Sequence, residues 1–372
     1  MDRRTFLRSD FALAGGLVVA GRLPMAAAQT IDTPYTFVSM PDFLNADIGD
    51  ARKASGWRPG DPNSINAAYR QAIDVILDEV QAEDPNSVFV AGDLVEGHWG
   101  IDFSNTGIFG PVDTYAQRLV ALERAADLYY GEWKERFAAR NLPVYPAVGD
   151  HEIGDNNWYP GTFKWNAFPT FKRVWAEHFP RGESHPEGSF SETAYSTHLT
   201  ADILLVTVDV WSRVDSAVVA QVKGKQLEWL DSVLASTRAK HIIVQGHTPV
   251  LGPLVQYRSS GLMMENGPDS EFWRTMVRHG VDLYLCGEVH DVTVLERDGV
   301  TQVAHGSLIA GARMNYLVGR IYSDRIDLEI KRIDGVRDET GELWQTSKKR
   351  QPIGVTYQPG AYSVHTQSLP TV

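Results

Sequence analysis

The chain has 372 residues, 43% of them hydrophobic, enough to bury a large core in one sizeable unit or two smaller ones. A formal charge of −12 argues against binding duplex nucleic acid or anionic membranes, and it repels phosphate at long range, so a phosphate site here needs local cations. The single cysteine, Cys286, excludes an internal disulfide, and its place in the apolar run VDLYLC marks a small buried residue rather than a thiol catalyst.

Residues 1–28 read as a twin-arginine export signal. The basic start DRRTFLR precedes the apolar FALAGGLVVAG, which is too short to span a bilayer, and Ala26-Ala27-Ala28 offers a small-residue cleavage site. Arg3, Arg4, Arg8 and Arg22 stand there against Asp2 and Asp10, so the remainder is two charges more negative than the whole. The expectation is transport by the twin-arginine machinery and a periplasmic or extracellular location. That route carries folded proteins, which suits a cofactor loaded before transit.

Beyond the signal, strand-like runs alternate with amphipathic helices. YTFVSM (35–40) predicts a strand, followed by a helix near 63–82 and a second strand at VFVAG (88–92). Leu119, Leu122, Ala126 and Tyr129 recur at helical spacing within a helix of about 113–140, and Phe168, Phe171 and Trp175 share one face of another. VYPAV precedes Gly149, ILLVTVDV covers 203–210, and Gln226 to Ser236 predicts a helix. HIIVQ and VDLYLC are the short continuous apolar runs of strands buried on both faces. Ile326, Leu328 and Ile330 alternate with Asp327, Glu329 and Lys331, the pattern of a half-exposed antiparallel strand. The polar stretch 336–372, with Pro352, Pro359 and Pro370, predicts an extended tail after a domain at 29–335.

Acids and histidines follow these apolar runs: Asp42, Asp93, Asp150 with His151 and Glu152, His247, and Glu288 with His290. Side chains at successive strand ends converge on one edge of a sheet, and clustered Asp, Glu and His are the usual ligands of hard or borderline metals. GDLVEG, GDHE, QGH and GEVH, in that order and each behind a strand, resemble the calcineurin-like metallophosphoesterase superfamily over roughly residues 35–310. The resemblance implies a four-layer α/β/β/α sandwich with two metal ions at the strand ends, whose bridging hydroxide attacks phosphorus. It implies Asp93 as the bridging aspartate, His247 as a ligand of the second metal and His290 as a ligand of the first. His151 matches the catalytic histidine that is not a ligand, with Glu152 placed to orient its imidazole.

The match has departures. Asp150 stands where the family carries asparagine, Glu288 replaces the first histidine of GHxH, and Asp42 is followed by Phe43 and Leu44 instead of opening a D-x-H. Asn45, Asp47 or Glu96 would complete the first metal's shell. Glu96 lies at the spacing where the purple acid phosphatase branch has a tyrosine ligand, whereas Asn45 and Asp47 equally suit a capping turn. Four carboxylates (Asp42, Asp93, Asp150, Glu288) would cancel two divalent ions, making the metal-bound water less acidic and holding phosphate less strongly. A trivalent iron at the second site, or a less charged substrate such as a phosphodiester, would restore the balance. Oxygen-rich ligation favours iron or manganese over zinc.

Aromatic residues flank the motifs: His98, Trp99, Phe103 and Phe109 after Asp93, then Trp158, Tyr159, Phe163 and Trp165. They would stack a nucleobase, sugar or lipid headgroup of a small-molecule or lipid phosphate ester, or simply pack locally. His305, Ser307 and Arg313 follow the last motif within reach of a substrate. The expectation is a metal-dependent phosphoesterase. The alternatives are a metal-binding scaffold without turnover and a carbohydrate- or lipid-binding surface protein on the same fold.

Overall fold

A computed structural model of the chain describes residues 33–44, 67–95, 100–101, 107, 109–179, 182–257, 259–306, 313–337 and 355–370. The export segment, Asn45, Asp47, Glu96, His98, Trp99, Phe103 and Ser307 lie outside them. The unit beginning at Pro34 is built on two large sheets. The first half of the chain runs β1 (Tyr35–Ser39), α1 (Ala67–Ala82), β2 (Ser87–Val90), α2 (Tyr115–Ala138), β3 (Val144–Pro146), α3 (Phe163–His178), β4 (Tyr195–Thr200) and β5 (Ile203–Thr207). It continues with a small hairpin of β6 (Trp211–Val214) and β7 (Ala217–Ala220), then α4 (Gly224–Ser236), β8 (His241–Gln245), α5 (Glu271–Arg278) and β9 (Leu283–Cys286). The chain ends in β10 (Thr293–Arg297), β11 (Val300–Ala304), β12 (Arg313–Ile321), β13 (Arg325–Arg337), β14 (Val355–Tyr357) and β15 (Tyr362–Pro370).

The first sheet has the order β14-β13-β12-β1-β2-β3, with β15 also paired to β13, and the second has the order β10-β11-β9-β8-β5-β4. Strands β1, β2 and β3 are parallel, in register through Val38, Val88 and Val144. Strands β5, β8, β9 and β11 are likewise parallel. Alternation along each strand sends one set of side chains between the sheets: Phe37, Phe89, Leu317 and Leu328 from one side meet Leu205, Ile243, Leu285 and Val303 from the other. The opposite faces carry helices. Val38, Val88 and Val90 pack with Ile73 and Leu77 of α1 and Leu122 of α2, while Leu204 and Val244 share a core with Leu230 of α4 and Phe272 of α5. This is the four-layer α/β/β/α arrangement expected from the motifs.

Local chemistry explains the helix starts. Thr114 and Gln117 form a reciprocal capping box at α2, Thr162 accepts from the Trp165 N–H at α3, and Ser270 accepts from the Trp273 N–H at α5. Side-chain hydrogen bonds join the sheets near the shared edge, among them Gln245 Nε2 to the Tyr145 carbonyl, Tyr195 Oη to the Pro146 carbonyl and His305 Nε2 to the Ser39 carbonyl, each at 2.9 Å. His305 is therefore a fully buried tie between β11 and β1, not a group reaching for substrate. Within the stretch 336–372, β14 and β15 pair with β13 and carry the first sheet through residue 370.

Candidate metal centre

Parallel strands in both sheets end on one edge, and the motif residues stand just beyond those ends. Asp42 follows β1, Asp93 follows β2, Asp150 follows β3, His247 follows β8, and Glu288 follows β9. Ligands of α/β sheets gather outside the carboxyl ends of strands, and the loops here are shaped for that placement. Asp42, Asp93, Glu288 and His290 hold φ of 61°, 62°, 71° and 57°, left-handed backbone that costs a non-glycine residue energy and that clusters at functional sites. Gly92 has φ 95°, and a Cβ there would lie 2.5 Å from His247 Nδ1 and 2.8 Å from the Gly149 Cα. At Gly149 a methyl group would collide with the Asp93 carboxylate. Glycine at 92 lets the loops of opposite sheets meet, and glycine at 149 lets the neighbouring β2 and β3 loops close on each other.

The result is a tight, desolvated set of donors. Ligand atoms of Asp42, Asp93 and His247 lie within 4.8 Å of one another, as do those of Asp93, Asp150 and His151, and those of Asp150, His247 and Glu288. His247 Nε2 stands 3.1 Å from Asp150 Oδ1, 3.4 Å from Asp93 Oδ2 and 3.6 Å from Glu288 Oε2, with the imidazole fully buried. Its Nδ1 lies 2.8 Å from the Ala91 carbonyl and must donate there. A neutral ring then aims the Nε2 lone pair at three carboxylates, acceptor against acceptors. Such an arrangement is stable only with a cation among them.

Protonation is one way to supply that cation. Burial alone would lower the His247 pKa, but Asp93, Asp150 and Glu288 raise it well above the usual imidazole range. Metal is the other way. Asp42 Oδ2, Asp150 Oδ1 and His247 Nε2 are buried without a hydrogen bond, so ligand-grade atoms face a common space with their valence unmet. The donor set fits metal ions.

The supports around these donors differ from the sequence expectation at Glu152. Its carboxylate accepts from the backbone N–H groups of Gly149 (2.6 Å), Asp93 (2.8 Å) and Leu94 (2.9 Å). Glu152 thus clamps the β2 and β3 loops to each other instead of orienting the His151 imidazole. Two anion-hungry loop backbones so close together need a buried acceptor more than the ring needs an orienter. Burial and the Asp93 charge push the Glu152 carboxyl up to about 7. Asp93 Oδ1 in turn accepts from the His151 N–H at 3.1 Å. The His151 ring, which belongs to one of the three donor groups, has Nε2 3.8 Å from Asp93 Oδ2 and 4.0 Å from Asp155 Oδ1, and its side chain is 16% exposed.

Glu288 is held by residues that no motif announced. Its Oε1 accepts from Ser260 Oγ at 2.7 Å, the Leu262 N–H at 2.9 Å and Ser259 Oγ at 3.1 Å. That leaves Oε2 for the centre. Asn156 Nδ2 similarly donates to Asp150 Oδ2 at 3.4 Å. His290 falls outside the three donor groups, although it lies near enough to Asp93, His151 and Asp150 to feel their charge. Its Nδ1 sits 3.1 Å from the Tyr257 carbonyl, and burial holds the ring down to about 4, so it is neutral with Nε2 unprotonated. Of the aromatic residues, Trp158 and Phe109 are buried and pack locally, Trp158 donating to the Ile153 carbonyl at 2.8 Å; Tyr159 is 62% exposed.

The profile of the calcineurin-like phosphoesterases matches residues 46–292, which hold all of the motif residues except Asp42. No curated protein sequence matches the chain. Among solved structures, that of PhoD superposes with a TM-score of 0.53 at 13% identity, covering 90% of this chain and 72% of PhoD. The structure of GAP50 of Plasmodium gives 0.43 at 12% identity, covering 87% of this chain and 89% of its own. A putative 5′-nucleotidase from Staphylococcus aureus gives 0.41 at 11%, covering 91% of this chain and 54% of its own. With strand order, donor geometry and profile in agreement, the chain belongs to the calcineurin-like phosphoesterase family.

Proposed function

We propose that this protein is an exported, two-metal phosphoesterase that favours phosphodiesters of small molecules or lipids. The observation that carries the reading is the meeting of Asp42, Asp93, Asp150, His247 and Glu288 around buried atoms that lack hydrogen bonds. Asp93, Asp150 and His247 each belong to two donor groups. Asp93 would serve both ions, Asp150 and His247 would hold the second, and Asp42 the first together with His290. When bound, such a metal pair supplies Lewis-acid charge and an activated water for in-line attack at phosphorus. The chain supplies the rest. His151, whose Nε2 lies 3.8 Å from Asp93 Oδ2 and 4.0 Å from Asp155 Oδ1, would donate a proton to the departing ester oxygen.

Preference for diesters follows from charge. Asp42, Asp93, Asp150 and Glu288 are four carboxylates against two divalent ions, which leaves little excess charge to hold a phosphate dianion, whereas a diester carries a single charge. A trivalent iron would relax this limit, and the oxygen-rich shell supports iron or manganese over zinc. Export rests on residues 1–28, whose arginine pair, apolar stretch and small-residue site come in the required order.

Comparing bis(4-nitrophenyl) phosphate with 4-nitrophenyl phosphate tests the reading. The diester should be cleaved with the higher kcat/KM, and His151→Ala should cut kcat by about 10²-fold or more with metal content unchanged. Metal retention without cleavage of either ester would instead establish a non-catalytic scaffold.

A further inference from the structure

A cavity of about 620 Å³ lies away from the donor set, between α3, the β6–β7 hairpin and the start of α4; none of the metal-centre carboxylates or histidines lines it. Its walls concentrate positive charge on a chain of net charge −12: Lys172, Arg173, Arg213 and Lys223 line it, against Glu192. These cations are not equivalent. Lys172 is buried and spent, its Nζ 2.6 Å from Asp209 Oδ2 and 2.7 Å from the Trp211 carbonyl. Arg173 is paired with Glu123 and Glu177. Lys223 reaches Glu265 only at 3.4 Å, across an exposed surface where such a pair holds weakly.

Arg213 differs from all of these. Its guanidinium lies over two rings, Cζ 5.4 Å from the Trp165 centroid and 5.6 Å from that of Phe168, and Nη1 donates to the Trp165 carbonyl at 2.9 Å. Among the described residues no carboxylate pairs with it. Stacking fixes the plane of the guanidinium, and one bond uses one of five N–H donors, so a pre-set fork remains for an oxyanion. Two further features point the same way. Lys223 is the N-cap of α4 and makes no side-chain cap, so first-turn N–H groups beside Gly224, which lines the cavity, lack a side-chain acceptor. Phe168, Phe190 and Trp211 give the cavity apolar faces, and its volume falls within the usual range for organic ligands.

We infer that this cavity is a second binding site, for a small organic oxyanion whose phosphate, sulfonate or carboxylate group meets Arg213 and Lys223 while a flat apolar body rests on Phe168 and Phe190. The site works without the metal centre, so its occupancy can be measured whether or not the chain cleaves esters. Trp211, which lines the cavity, has its ring centroid 6.1 Å from that of His247.

Titration calorimetry of the full chain with benzenesulfonate, an aryl oxyanion with little affinity for metal ions, tests the inference. The expected result is saturable binding at one site per chain, weakened about tenfold or more by Arg213→Gln and about threefold by Lys223→Gln. Arg274→Gln, at an exposed position outside the lining, should leave it unchanged, and circular dichroism should show all three variants folded. Absence of saturable binding up to about 10 mM would overturn the inference, that concentration corresponding to under 3 kcal/mol. So would binding indifferent to Arg213→Gln and Lys223→Gln, or binding lost on Asp93→Ala instead.

Discussion

Around Asp209 every charge is answered: Lys172 at 2.6 Å, Thr193 Oγ1 at 2.5 Å and the Trp211 N–H at 3.0 Å meet its two oxygens, and Gln226 bonds its backbone on both sides. Around Asp93, 1% exposed and equally enclosed, Asp42 Oδ2, Asp150 Oδ1 and His247 Nε2 have no hydrogen bond. Both clusters put carboxylates in a core, and a carboxylate there is costly unless paired. The first cluster brings its own cation and is structural. The second has no lysine or arginine among the described residues, and its unmet donors suit cations from outside. Both clusters centre on a buried aspartate, so the state of the remaining valences is what separates a fold-holding charge from a functional one.

Substitutions at the two aspartate clusters should therefore fail in different ways. Asp93→Ala should abolish hydrolysis by about 10⁴-fold, roughly 5 kcal/mol of barrier, in steady-state assays of the diester, while the folded signal by circular dichroism persists. If its melting temperature collapsed instead, the distinction would be lost. Lys172→Met should do the reverse, since it strands Asp209 in the core. Urea unfolding should show a loss of about 4 kcal/mol, with kcat unchanged at temperatures where the chain remains folded. Hydrolysis lost without unfolding would move Lys172 into the catalytic machinery.

A smaller effect sharpens the contrast from the side of pH. Burial pushes the fully buried His305 imidazole down to about 4 from its ordinary 6.5, so the folded chain refuses a proton that the unfolded chain accepts. The stability tied to neutral His305 is complete above pH 6.5, the unfolded value, and drains as pH falls towards 4, by about 3 kcal/mol. His305→Gln removes this contribution. Its destabilisation in urea should be largest at pH 7.5 and clearly smaller at pH 4.5; equal loss at both pH values would show that His305 does not carry the effect. The smallest effect should come from the Glu288 support. Ser260→Ala should weaken metal affinity about tenfold in competition with a chelator, leaving stability within about 1 kcal/mol.

Much of this was readable from the chain. Each apolar run closing on a glycine and an acid or histidine became a buried strand with its donor at the shared edge, because period and burial fix strand ends locally. What failed to show depends on contacts across the fold. Ser259 and Ser260 reach Glu288 across 29 and 28 residues, through a loop whose course is set by β8 and β9. Glu152 adjoins His151 in sequence, yet its carboxylate turns to the β2 loop, 59 residues away at Asp93. Neighbours in sequence suggested a ring orienter, whereas the unmet N–H groups of two meeting loops decided the matter. Arg213 carried no motif at all, and only the rings of α3 beneath it reveal its role.

Elemental analysis of the folded chain, purified without added metal and exchanged into metal-free buffer, bears most directly on the claim that the buried donors grip a pair of ions. About two metal ions per chain, dominated by iron or manganese, should remain in the wild type, and Asp93→Ala should lose at least one. A wild type that retains none, or an Asp93→Ala variant that keeps both, would contradict it.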